Sequence, residues 1–171
     1  MLIDCSYFTK GARHILNANA TLGTLPHSNA AEVNDTIEAF IAEHQEDYLV
    51  AMLGKTIGNK VNAYLVCLDE DEKPTHNDKL DAVCDCLRDS FADYVFFHIL
   101  RDTNTQGTVS GLVRLKCANE YVAPIVRQVN IWNTMVNKHR RFAEWCASSD
   151  CTMAGISIDS EMLTKINQFN L

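Results

Sequence analysis

Cysteine and histidine are the residues in this 171-residue chain best suited to bind a metal. A zinc site needs side chains that converge on one tetrahedral ion. Cys84 and Cys86 are two positions apart in a predicted helix, where their side chains point about 200° apart, so they do not readily share an ion. Cys146 and Cys151 flank a predicted helix end and could converge, but no second cysteine pair accompanies them. We therefore interpret the cysteines as free, buried or half-buried thiols and predict no metal site.

The histidines and carboxylates also lack the spacing of a recognised catalytic site. His98 and His139 lie in otherwise apolar helical stripes, where a hydrogen-bonded core or interface imidazole is more common than a general base. Glu43 and Asp47 share a helix face, but no His-Glu-x-x-His motif surrounds them. Glycine motifs for dinucleotides, P-loops and α/β-hydrolases are missing as well. We predict no catalytic residue and no cofactor, and keep as an alternative a metal-dependent regulator that uses His139 with Cys146 and Cys151.

The charge of the chain bears on its partners. A net charge of −7 and a pI near 5.3 disfavour a general phosphate-binding surface. The strongest basic group is the run Lys138-His139-Arg140-Arg141, and Arg127 and Trp132 precede it on the same predicted helix. Four consecutive residues cover a full helical turn, so about half of them face solvent. Both an ordinary solvated helix and a contact with an acidic or phosphate-bearing partner remain open.

Helical spacing of apolar residues dominates the chain, and no segment gives a convincing strand. After an arm and loop over residues 1–28, the spacing predicts a helix up to Gly54, a second from Ile57 to the acidic turn that starts at Asp69, and a third of about six turns from Asn77 to Arg101. It also predicts helix over residues 112–148, kinked or broken near Pro124, and a short last helix from Asp159 to Phe169. The segment from Phe91 to Phe97 is apolar nearly all round and is expected to be the most buried.

These elements predict an all-α compact helical bundle with long helices in its C-terminal half. We predict a single domain over residues 1–171, with an arm and loop at 1–28 and the bundle at 29–171. No apolar stretch reaches the ~20 residues of a membrane span, and the first ten residues lack the apolar region of a signal peptide. Unpaired cysteines indicate folding in a reducing cytoplasm.

Five segments carry a resemblance to a known family. They are Phe8-Thr9-Lys10-Gly11-Ala12-Arg13-His14-Ile15, Tyr48-Leu49-Val50-Ala51-Met52-Leu53-Gly54, Tyr94-Val95-Phe96-Phe97, Thr108-Val109-Ser110-Gly111 and Trp132-Asn133-Thr134-Met135-Val136. In their order the chain resembles the small helical head–tail connector proteins of tailed bacteriophages and prophages, also called adaptor or head-completion proteins, and particularly a group found in Bacteroidetes genomes. The resemblance implies a non-enzymatic subunit of a ring at the head–tail junction of the virion.

In such a ring the partners implied are further copies of the chain, the portal protein and tail or stopper proteins, with DNA only as passing cargo. An acidic chain suits a ring through which DNA passes without sticking. An arm of mixed aromatic, apolar and basic residues has no obvious place in a monomer core, so we expect it to exchange with a neighbour. The candidate contact residues are Tyr7, Phe8, Arg13, His14, Ile15, Arg127, Trp132, Lys138, Arg140 and Arg141. A helical binding module for another protein, using the basic run, is the remaining alternative.

Overall fold

A computed structural model of the protein describes residues 1–19, 27–69, 77–102, 105–108, 111–114, 125–148, 151 and 153–169. Over these residues the α-helices are α1 (His27–Leu53), α2 (Lys55–Asp69), α3 (Asp78–Asp102) and α4 (Ile125–Cys146). Short 3₁₀ helices lie at Cys5–Phe8, Gly11–Arg13 and Ser160–Leu163, and a hairpin consists of β1 (Thr105–Thr108) and β2 (Gly111–Arg114). The predicted all-α bundle is confirmed, with this one small hairpin added to it. None of the described helices is both long enough and apolar enough to cross a membrane.

A tight helical hairpin joins α1 to α2. Gly54 has a φ of +80°, a left-handed conformation that glycine adopts without steric cost, and it ends α1 as the sequence predicts. Gly58 lets α2 approach α1 closely, because a β-carbon at this position would lie 2.7 Å from the carbonyl oxygen of Leu49. The first half of the bundle is therefore one 27-residue helix, longer than expected, and one shorter partner, and their bounds agree with the helices predicted on either side of Gly54.

Helix α3 is the centre of the bundle and contacts both α4 and the α1–α2 pair. Its segment from Phe91 to Phe97 is buried at every position except the half-buried Tyr94, as predicted. The large side chains Tyr48, Phe91 and Met135 from α1, α3 and α4 have no exposed surface. The described residues thus share one hydrophobic core built around α3.

The N-terminal segment belongs to this core, so the expectation that it lies outside the monomer is wrong. Leu2, Ile3, Cys5 and Phe8 are all buried, and Phe8 has no exposed surface. The backbone nitrogen of Leu2 donates to Oε1 of Gln45 on α1, at 2.6 Å. The apolar side chains of this segment do not follow a helical or strand period, so periodicity alone could not show that they pack against the bundle.

The C-terminal half contains two further corrections. Residues 112–114, predicted as helix, belong to β2, which pairs antiparallel with β1 and has Arg114 opposite Thr105. A short apolar run does not distinguish helix from strand, and glycines beside β-branched residues favour the hairpin. Residues 115–124, which include the predicted kink or break near Pro124, lie outside the described residues, and α4 is described from Ile125.

The prediction of a last helix from Asp159 to Phe169 is also wrong, because the only helical turn in these residues is the 3₁₀ turn Ser160–Leu163. Backbone hydrogen bonds go instead to the bundle: the nitrogen of Asp159 donates to the Ala51 carbonyl at 2.8 Å. Asn133 on α4 forms two hydrogen bonds with the backbone of Ile166, each 3.0 Å long. Tertiary partners have replaced the hydrogen bonds that a helix would have made within itself.

Candidate functional site

An ion cluster joins the N-terminal segment to α3 and α4; it consists of Arg13, Asp89, Asp93 and Lys138. Arg13 contacts Asp93 at 2.6 Å and Asp89 at 2.7 Å, and Lys138 contacts Asp93 at 2.6 Å and also pairs with Asp89. Asp89 and Asp93 are four residues apart and so share one face of α3. Asp93 is only 2% exposed, which makes its two cationic partners essential to its burial.

The ion cluster shifts the pKa values of Asp89 and Arg13 toward the charged forms. Burial opposes the charge of Asp89, but hydrogen bonds and charge from Lys138 and Arg13 outweigh it and lower the pKa of Asp89. Burial likewise opposes the charge of Arg13, and its bonds to Asp93 and Asp89 raise its pKa overall. Arg13 and Lys138, predicted as partner contacts, are therefore engaged within the chain.

A second polar group lies deeper in the bundle and consists of Tyr48, Ser90 and His139. The Tyr48 hydroxyl lies 2.7 Å from Oγ of Ser90 and 3.0 Å from Nε2 of His139. Nδ1 of His139 lies 2.8 Å from the Met162 carbonyl, which can only accept, so Nδ1 carries the proton and Nε2 accepts from Tyr48. Burial lowers the pKa of His139 to about 4, and the imidazole is neutral at pH 7.

The alternative metal site of His139, Cys146 and Cys151 does not match this arrangement. Both ring nitrogens of His139 already have partners in Tyr48 and Met162. Burial, with contributions from Cys151 and Cys86, raises the pKa of the Cys146 thiol to about 12. Cys146 is thus a protonated thiol at neutral pH, and His139 does not complete a ligand set with it.

The predicted contacts of the N-terminal segment differ in exposure. Phe8 is fully buried, and Tyr7 and Ile15 are half-buried against the core, so none of the three is freely presented to a partner. His14 is exposed. Of this group, His14 is the residue whose partner role stays a prediction.

The predicted contacts on α4 are partly used within the chain. Arg127 donates to the Ala12 carbonyl at 2.8 Å and lies over the ring of Phe96. Nε1 of Trp132 donates to the Thr164 carbonyl at 2.9 Å, and Arg140 donates to the Leu163 carbonyl at 3.1 Å. Arg127, Arg140 and Arg141 remain exposed, so their charges are available to a partner.

Charge is segregated between α1 and α4. Helix α1 contains no lysine or arginine, and its six carboxylates, all exposed, are Glu32, Asp35, Glu38, Glu43, Glu46 and Asp47. Helix α4 contains Arg127, Lys138, Arg140 and Arg141 against the single acid Glu144. We call the six acids the acidic face of α1, and we call the exposed arginines Arg127, Arg140 and Arg141, without the internally paired Lys138, the basic face of α4. The sequence contains this contrast, but it becomes visible only when the helix boundaries are known.

Sequence reasoning missed a cluster of potential metal ligands, His44, His98 and Asp102. Their ligand atoms all lie within 4.8 Å of one another. The two imidazole rings stack, with centroids 4.0 Å apart. His98 and Asp102 are four residues apart at the end of α3, a spacing the sequence shows. Their proximity to His44 on α1 is a tertiary contact that no local pattern predicts.

Comparison with known proteins adds no assignment: no family model, no curated protein and no solved structure matches the chain.

Proposed function

We propose that this protein is a non-enzymatic head–tail connector, or adaptor, subunit of a tailed phage or prophage that forms a ring between the portal and the tail. The proposal starts from the resemblance of the five segments described above. The structural observation that carries it is the segregation of charge between the acidic face of α1 and the basic face of α4. Such a chain presents two complementary surfaces to further copies of itself.

A ring of identical subunits requires contacts of this kind. In a head-to-tail interface each copy offers two different surfaces, one to each neighbour, and the assembly closes when the rotation between copies divides a full turn. The acidic face of α1 and the basic face of α4 meet that requirement, because opposite charges select the head-to-tail pairing over the pairing of like faces. The net charge of −7 also limits adhesion of DNA that passes through the ring.

Exposed apolar residues beside the basic face supply surface for such a contact to bury. Val126 is 60% exposed and Phe169 is 88% exposed. Together with Val129 and Ile166 they line a groove along the first half of α4. A neighbouring copy that covers this groove gains hydrophobic stabilisation while the charges set its orientation.

Assembly of the purified full-length chain tests the proposal. We expect rings, visible by negative-stain electron microscopy and light scattering, when the chain is mixed with the portal protein encoded by the same phage genome. Particles that remain monomeric both with and without portal, with no cross-links to it, would contradict the connector function.

Charge reversal tests the contact itself. The double variant R140E/R141E is expected to lose ring assembly, and adding E43K/E46K to it is expected to restore assembly by reversing both faces. The matched control is K55E/K60E, which makes the same charge change at exposed positions of α2. Thermal unfolding confirms that each variant is folded. Normal assembly by R140E/R141E would rule out the α1–α4 contact.

A further inference from the structure

The cluster of His44, His98 and Asp102 brings three ligand types together from two helices. His98 and Asp102 lie one turn apart on the same face of α3, and His44 faces them from α1. In a tetrahedral zinc site with bonds of about 2.0–2.1 Å, neighbouring ligand atoms lie roughly 3.3 Å apart. The present separations of up to 4.8 Å must shorten toward that value when an ion binds.

The two imidazoles have an unusual environment for side chains that contact only protein. Nε2 of His44 and Nε2 of His98 are both buried, and neither has a hydrogen-bond partner among the described residues. A buried polar atom without a partner costs about 1–3 kcal/mol. The two rings stack, so one ligand bound to both nitrogens would give each of these atoms the partner that it lacks among the described residues.

The neutral state of His98 favours the binding of a cation. Burial, with smaller contributions from the nearby His44 and Arg101, lowers the pKa of His98 to about 4, so the ring is neutral at pH 7. A neutral imidazole has a free lone pair, which a metal ion requires. Arg101 opposes a cation here, whereas the carboxylate of Asp102 and the negative end of the α3 helix dipole favour one.

The surroundings and the donor set narrow the class of ion. Aromatic rings of Phe40, Tyr94 and Phe97 contact the two histidines and shield them from water. Two imidazole nitrogens and one carboxylate suit Zn²⁺, whereas Ca²⁺ and Mg²⁺ prefer oxygen ligands throughout. Asp102 lies at the exposed edge of the cluster, where a fourth ligand such as water has access.

We propose that His44, His98 and Asp102 bind one divalent transition-metal ion, with Zn²⁺ as the best fit, in a site that ties α1 to the end of α3. This site does not depend on ring assembly, because all three ligands come from one chain.

Titration of the purified full-length chain with ZnCl₂, after removal of metals by a chelator, tests the site. Isothermal calorimetry is expected to show one equivalent bound, with a rise in melting temperature that MgCl₂ does not produce. H44Q and H98Q are each expected to weaken Zn²⁺ binding at least about tenfold. The matched control is H14Q, which removes an exposed histidine and is expected to bind as the unmodified chain does.

Two further measurements separate this site from adventitious binding to thiols. The variant C146S/C151S is expected to keep the bound equivalent. Co²⁺ in place of Zn²⁺ is expected to give visible absorption of a tetrahedral site without the near-ultraviolet band of cobalt–thiolate bonds, and H98Q is expected to lose it. The proposal is overturned if the unmodified chain binds no Zn²⁺, if H44Q and H98Q retain full affinity, or if C146S/C151S abolishes binding.

Discussion

Replacement of Asp93 by asparagine tests whether the ion cluster stabilises the fold. Asp93 is 2% exposed and contacts both Arg13 and Lys138 at 2.6 Å, so it links the N-terminal segment, α3 and α4 at one point. The substitution nearly preserves the shape of the side chain and removes its charge. Arg13 and Lys138 then retain Asp89 as the single anionic partner within the ion cluster, and its side chain is 58% exposed.

The expected loss follows from this geometry. Removing one partner of a fully buried ion pair costs about 3–5 kcal/mol. Asp89 still neutralises part of the two positive charges, so we expect D93N to lower the free energy of unfolding by about 2–3 kcal/mol. For a chain of this length, each kcal/mol lowers the melting temperature by about 2–4 °C, which gives a drop of about 4–12 °C.

Urea unfolding followed by circular dichroism measures the change. Asp85 provides the matched control, because it lies on the same helix and pairs with Arg88 at 2.7 Å on the surface. D85N should change the free energy of unfolding by no more than about 0.5 kcal/mol. In D89N/D93N the cations lose both anions, and the loss should exceed the sum of the two single variants. If D93N and D85N change the free energy of unfolding by the same amount, the ion cluster does not stabilise the fold.

Three other perturbations test the packing of the bundle. F8A should lower the free energy of unfolding by about 3–5 kcal/mol in a urea titration, because Phe8 is fully buried; a loss below about 1 kcal/mol would show that the N-terminal segment is not part of the core. G58A should lower the melting temperature by several degrees, because its β-carbon would meet the backbone of Leu49 at 2.7 Å, and an unchanged value would contradict that close approach. His139 has a pKa of about 4 in the folded protein, below its ordinary 6.5. Its contribution to the free energy of unfolding is therefore fully present above pH 6.5 and is lost as the pH falls toward 4. Between pH 7 and pH 5 this loss amounts to about 2 kcal/mol, and H139Q should show a correspondingly shallower fall of stability with pH; equal slopes would contradict a buried, neutral His139.

Much of the helical framework could be predicted from local pattern. Apolar spacing located α3 and its buried segment, and glycine at position 54 ended α1. These signals are local. Apolar residues recur every three to four positions along the buried face of a helix, and residues with special backbone geometry mark its ends. The same signals failed for residues 112–114 and for the segment after Asp159, where the backbone found partners elsewhere in the chain.

The candidate sites depend on contacts that local pattern does not contain. Arg13 meets Asp89 and Asp93 from about 80 positions away, and this ion cluster converts a predicted partner contact into an internal one. His44 and His98 are separated by 54 positions but stack in the folded chain. The sequence by itself determined the helical class, the net acidity and the supply of imidazoles and carboxylates. Only the packing of α1 and α4 against α3 decided which charges are neutralised internally and which nitrogens share one buried space, because side chains distant in sequence come together only when the core forms.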